Sequence, residues 1–144
     1  MRKTSTAALM AAAVLVTTPA TASAEPAELT ANYTSSGAHG YWDARFRGTA
    51  TVADNGTYHV SGYLEAKCPD TVLSGFGRFR FRNQSTGSAW QTFDVACSPE
   101  GSTATMVEAD GVGDPGDDLG IVVCVGGLLV YPQCGAEETV RLPE

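Results

Sequence analysis

Three groups of residues in this chain have types and spacings that chemistry could use. Arg78, Arg80 and Arg82 occupy alternate positions of Arg78-Phe79-Arg80-Phe81-Arg82, so on an extended strand the three guanidiniums share one face, with Trp90 of the return strand beside them. Planar, permanently charged forks of this kind recognise carboxylates, phosphates or an acidic partner surface, and an indole next to them adds a cation–π contact. The plainer alternative, which the strict alternation favours, makes this face the solvent side of a sheet, with arginine stems covering Trp90 and Asp94 balancing charge. Asp110, Asp114, Asp117 and Asp118 gather carboxylates in a stretch rich in Gly and Pro, and oxygen-rich loops can hold calcium. The EF-hand spacing and its closing Glu are missing, so a solvated turn is the expected form and no cofactor is expected.

The third group is Cys68, Cys97, Cys124 and Cys134. There is no C-x-x-C, and His39 and His59 lie far from any Cys in sequence, so two disulfides are expected rather than a metal site. That leaves no thiol nucleophile. There is no G-x-S-x-G elbow either, and His59 alternates onto the polar face of its strand. The 16 acidic residues make chance carboxylate pairs inevitable without singling one out. An enzyme is therefore not the expected reading.

With 144 residues the chain has the size of one domain, and 9 basic against 16 acidic residues give a net charge of −7. An acidic surface has no general means of neutralising phosphates, so no nucleic-acid partner is expected. The first residues are not read as structure. Arg2 and Lys3 form a positive n-region, Ala7 to Val16 an apolar run of about ten residues, and Ala22-Ser23-Ala24 an A-x-A site, the three parts of a cleaved secretory signal peptide spanning residues 1–24. The apolar run is too short to span a membrane, and no membrane association is expected after cleavage. Loss of Arg2 and Lys3 leaves 7 basic residues against 16 acidic ones, 7 − 16 = −9. Secretion also places all four Cys where disulfides persist.

Positioning these groups falls to antiparallel β-structure. From Phe46 to Val52 and from Tyr58 to Ala66 small or apolar residues take the even positions, a period of two. Between them, Asp54-Asn55-Gly56 is expected as a three-residue loop with Gly56 left-handed, because a two-residue Asn55-Gly56 loop would set the apolar face of one strand against the polar face of the other. The three-residue loop pairs Val52 with Tyr58, Ala50 with Val60 and Phe46 with Leu64. A second hairpin around Ser85-Thr86-Gly87 sets Phe79 opposite Phe93, Arg82 opposite Trp90 and Arg78 opposite Asp94; a slip of two residues would pair Arg80 with Asp94 instead.

A four-strand meander would bring Cys68 and Cys97 to the same end and so favours Cys68–Cys97, leaving Cys124–Cys134. Loops of about 30 and 11 residues correspond to roughly 3.6 and 2.8 kcal/mol of chain-entropy stabilisation. Ala104 to Ala109 is an ambiguous strand, Asp110 to Asp118 a loop, and Leu119 to Val125 and a segment ending at Thr139 to Leu142 complete about seven strands. The expected architecture is an all-β antiparallel sandwich, or small barrel, over residues 41–144, preceded by a flexible polar arm over residues 25–40.

Two apolar features remain open. Leu128, Leu129, Val130 and Tyr131, fenced by Cys124 and Cys134, are expected to form another core strand; exposed, they would be a protrusion suited to a partner's cleft. Tyr41-Trp42 is either a core plug or a sugar-stacking platform. Asn32, Asn55 and Asn83 begin glycosylation sequons, which matter only in a host that glycosylates.

The signal peptide, the Gly-Tyr-Leu-x-x-x-Cys-Pro strand end at Gly62 to Pro69 and the Val-Cys-x9-Cys-Gly segment at Val123 to Gly135 resemble small secreted proteins of high-GC Gram-positive bacteria whose function is uncharacterised. A content of 20 Ala, one Ile and two Lys agrees with that resemblance, which implies a disulfide-linked β-sandwich and carries over no catalytic residue. The expected function is a secreted, non-enzymatic binding module for an extracellular protein or glycan. The alternative is a secreted inhibitor of extracellular hydrolases that presents the Cys124–Cys134 loop.

Overall fold

The structure is a computed structural model, which describes residues 24–37 and 40–144; residues 1–23 of the signal-peptide expectation and His39 lie outside the described residues. Nine strands are described: β1 (Ala27–Gly37), β2 (Gly40–Ala53), β3 (Thr57–Lys67), β4 (Phe76–Asn83), β5 (Gln91–Ala96), β6 (Thr103–Val112), β7 (Asp118–Gly127), β8 (Val130–Cys134) and β9 (Glu138–Arg141). They form two antiparallel sheets, β1-β2-β3-β6 and β5-β4-β7-β8, with β9 also paired to β7. The all-β sandwich is as the alternation predicts, with nine strands instead of seven.

The core follows from the pleat. Even residues of β2 and β3 and odd residues of β4 and β7 point inward, so Phe46, Leu64 and Val60 of the first sheet meet Phe79, Phe81, Ile121 and Val123 of the second, all buried. The Phe46 and Phe79 rings stack across the two sheets with centroids 3.7 Å apart. Gly48 and Gly62 lie opposite each other, and a Cβ on either would stand within 2.9 Å of the Phe46 ring tip. Both positions need Gly so that the ring can lie flat on the backbone. Deep burial of aromatic and aliphatic side chains on both inner faces supplies most of the driving force, at roughly 1.5–3 kcal/mol per large side chain.

The β2–β3 turn matches its expectation: Val52 pairs with Tyr58, Ala50 with Val60 and Phe46 with Leu64, and Gly56 has φ +76°. Phe79 faces Phe93 and Arg78 faces Asp94, and Gly87 is left-handed at φ +67°. Both disulfides pair as expected, Cys68 with Cys97 and Cys124 with Cys134.

Three expectations are corrected. The arm over residues 25–40 is for the most part strand β1, registered along its whole length on β2 from Ala27↔Ala50 to Gly37↔Gly40. Its Leu29 and Ala31 are core residues; Ala27, Leu29, Ala31 and Tyr33 alternate strictly with polar residues, but mostly small side chains made that stripe faint. The meander is absent, because β3 pairs with β6 and the chain crosses to the other sheet before β4. The first disulfide accordingly joins the end of β3 to the segment after β5, where Lys67 bridges Ser98. Asp110 belongs to β6, so the acidic loop starts only after Val112.

Candidate functional site

β7 is the central strand of the second sheet, and its unbroken apolar sequence from Leu119 to Val125 is buried on both faces. It continues past the core into a hairpin with β8, with a register shift between Val125 and Gly127. Leu128 and Leu129 form the tip. Turns of this size usually recruit Gly, Asn or Asp for left-handed backbone or for local hydrogen bonds. Neither Leu has positive φ, since Ser74 is the one non-Gly residue with positive φ among those described. The turn does not require these side chains, and the core does not hold them: Leu128 is 69 %, Leu129 88 % and Tyr131 90 % exposed. Val130 alone of the four packs against the core. The core-strand expectation for Leu128, Leu129 and Tyr131 is thereby corrected, because Leu128 and Leu129 occupy the turn and Tyr131 lies on β8 at the edge of its sheet.

The tip is braced on three sides. Cys124–Cys134 ties its base, Tyr33 Oη of β1 donates to Gln133 Oε1 at 3.1 Å, and the Leu128 amide donates to the Leu73 carbonyl at 3.0 Å. That last contact adds Leu73, 67 % exposed, which sequence reading missed because it sits in a Gly- and Ser-containing connection with no periodicity. Residues 119–136 carry no charged side chain in an otherwise acidic chain. The result is a neutral, apolar protrusion braced at its base.

The arginine face lies on the outside of the same sheet, and most of its charge is already matched. Arg78 donates from Nε and Nη2 to Asp94 at 2.7 and 2.8 Å. This raises the Arg78 pKa further above its ordinary value, against the opposing effect of partial burial. Arg82 makes the same two-pronged contact to Glu137, 3.0 Å on each side. Glu137 is held below the usual carboxylate range chiefly by a hydrogen bond from Gln84 and then by Arg82. Arg80 has no carboxylate partner among the described residues; its guanidinium lies 4.8 Å from the Trp90 ring centre, with Arg82 at 4.5 Å. Its Nε is buried without a hydrogen-bond partner. The sequence therefore located this face and its indole correctly, while two of its three forks are closed on their own carboxylates.

The four aspartates do not converge. Asp110 Oδ1 lies 2.7 Å from His59 Nδ1, whereas Asp117 accepts from Asn83 Nδ2 at 2.8 Å and from the Asp114 amide at 3.0 Å. Asp118 is 3.9 Å from Arg141. Among the described residues no cluster of three or more metal-ligating side chains exists. The exposed His59–Asp110 pair has no hydroxyl or thiol hydrogen-bonded to its ring among those residues, so it forms no triad. Trp42 is a core plug and Trp90 lies on the opposite sheet, so Tyr41, Trp42 and Trp90 share no groove. The sequon residue Asn83 is fully buried, which closes it to a glycan.

No family model matches the chain, and no curated protein matches it.

Proposed function

We propose that the chain is a secreted, non-enzymatic binding module that docks the β7–β8 tip into an apolar cleft of an extracellular protein. The observation that carries this reading is the exposure of Leu128, Leu129 and Tyr131 on a hairpin that neither turn chemistry nor the core requires to be apolar. Bracing by Cys124–Cys134 supports it, because a tip that is already ordered loses little conformational entropy on docking. The leader pattern and the paired cysteines support export to an oxidising compartment. The same bracing favours one specific form of the module, an inhibitor whose tip blocks the cleft of an extracellular hydrolase.

The test is capture of secreted proteins of the producing organism and its neighbours on the oxidised mature chain, repeated with Leu129→Ser. Removing one buried Leu contact should cost about 2 kcal/mol, roughly a thirty-fold rise in Kd. Inhibition of a captured hydrolase by the wild-type chain and not by Leu129→Ser would establish the inhibitor form. A partner that binds Leu129→Ser and wild type equally, yet is lost on charge reversal of Arg78, Arg80 and Arg82, would move the interface to the arginine face.

A further inference from the structure

Thiol exchange opens a disulfide by in-line displacement: a thiolate attacks one sulfur from the side opposite its partner, and the partner leaves as a thiolate. Access along the sulfur–sulfur axis therefore decides which bond can react, and at which end. At Cys68–Cys97 the sulfurs are covered. Cys68 is buried, and the main chain of Gly75 lies directly on the pair, since a Cβ there would stand 2.7 Å from Cys68 Sγ and 3.0 Å from Cys97 Sγ. The Cys97 amide donates to the Gly75 carbonyl at 3.0 Å, which holds this cover in place.

Cys124–Cys134 is closed at one end only. The two residues are registered neighbours on β7 and β8. Cys124 is buried, and on its far side lies β4, where Arg78 is its registered neighbour. Cys134 is exposed on the edge strand of its sheet, with no further strand beyond it among the described residues. Pro132 and Gln133 beside it are exposed too. The approach to the Cys134 sulfur opposite Cys124 is thus from solvent.

We propose that Cys134 is a thiol-exchange site at which an external dithiol opens Cys124–Cys134 and releases the base of the β7–β8 hairpin. The attacking thiolate bonds to Cys134 Sγ, the bond to Cys124 Sγ breaks, and Cys124 leaves as a thiolate that takes a proton from water. Strand pairing keeps Cys124 beside the mixed disulfide, so it returns to Cys134 and expels a monothiol. A dithiol escapes this reversal, because its second thiolate attacks its own sulfur in the mixed disulfide and expels Cys134 as a thiolate. The dithiol departs as a cyclic disulfide, oxidised by two electrons, and the protein bond is reduced by the same two to a pair of thiols. The hairpin then keeps its strand pairing and loses the covalent brace beneath Leu128 and Leu129. The weaker docking that follows rests on the role given to the tip under the proposed function; the exchange itself does not.

The test exposes the folded, oxidised chain to dithiothreitol and, separately, to glutathione, followed by acid quenching, alkylation of free thiols and peptide mass spectrometry. Dithiothreitol should open Cys124–Cys134 about tenfold or more faster than Cys68–Cys97, because exchange at covered sulfurs waits for the fold to open. Glutathione should leave little free thiol, and its trapped adduct should sit on Cys134 with Cys124 alkylated. In the chain opened at Cys124–Cys134 alone, amides of β8 should lose protection from hydrogen exchange while those of β4 and β7 keep it. Equal rates at the two bonds, adducts on Cys124, opening by glutathione as complete as by dithiothreitol, or unchanged protection of β8 would overturn the proposal. None of these readouts uses a partner, so its failure and a failure of the docking role are told apart.

Discussion

The two disulfides sit in contrasting surroundings. Cys68 is buried at the end of β3 in the first sheet, and its partner Cys97 follows β5 in the second, so this bond links the two layers. Cys124 and Cys134 are registered neighbours on β7 and β8 of one sheet, joined already by strand pairing, and Cys134 faces solvent. The first bond restrains the packing of sheet on sheet. The second adds little to packing and instead fixes the base of a hairpin whose tip buries almost nothing. A covalent brace under an exposed apolar tip is what a docking element needs, whereas a brace across the core is what a small sandwich needs to stay folded.

Removing the layer-linking bond should have the largest effect. Cys68→Ala with Cys97→Ala loses about 3.6 kcal/mol of chain-entropy stabilisation, a large share of the net stability of a domain this size. Its thermal transition should broaden or vanish, and its near-ultraviolet circular dichroism should weaken. Cys124→Ala with Cys134→Ala has an upper value of about 2.8 kcal/mol. It should keep a cooperative melt while amides of β8 lose protection from hydrogen exchange and those of β4 and β7 keep it. Equal destabilisation by both pairs, or global loss of protection in the second, would break the contrast.

Asn83 provides the next largest effect. It is fully buried, and its Nδ2 donates to the Val112 carbonyl and to Asp117 while its Oδ1 accepts from the Thr86 amide. It thus ties the end of β4 to the end of β6 and to the loop before β7. Asn83→Ala should cost about 2 kcal/mol by urea denaturation, since the donors and acceptors left behind remain partly buried. It should also alter the acid limb. Asp117 is held below the usual carboxylate range, first by Asn83 and then by the Asp114 amide, and Glu137 is lowered as well. A carboxyl lowered in the folded state stabilises above its unfolded pKa of about 4, and that contribution is lost as pH falls through the folded value. Wild-type stability should decline on acidification through this range, and the decline should be shallower in Asn83→Ala.

What the sequence made legible was local. The Asp54-Asn55-Gly56 turn, the facing of Phe79 and Phe93 and the pairing of Arg78 with Asp94 follow from alternation and turn chemistry within one hairpin, and all three are observed. The choice of sheet for each strand is not local: nothing in the pleat of β3 says whether its second neighbour is β4 or β6, and both offer suitable inner faces. The correct Cys68–Cys97 pair was thus reached from a wrong meander, because β3 and β5 end on the same side in either topology. The candidate site shows the same limit. A continuous apolar run from Leu119 to Tyr131 gives no period, and only the register shift at Gly127 separates the buried part from the exposed one.

The smallest effect on stability is the one that bears most directly on function. Leu129 and Val130 are adjacent apolar residues of one hairpin, yet Leu129 is 88 % exposed while Val130 packs on the core. Leu129→Ser should therefore shift the urea midpoint by no more than about 0.5 kcal/mol, as for other surface positions. Val130→Ser should cost about 1–2 kcal/mol, for the partial loss of a buried side chain and for the hydroxyl left against apolar neighbours. Docking should show the reverse order: Leu129→Ser loses the partner without loss of fold, and Val130→Ser binds in proportion to its folded fraction. Should Leu129→Ser destabilise as much as Val130→Ser, the tip closes the core in solution, and its apolar character needs no partner to account for it.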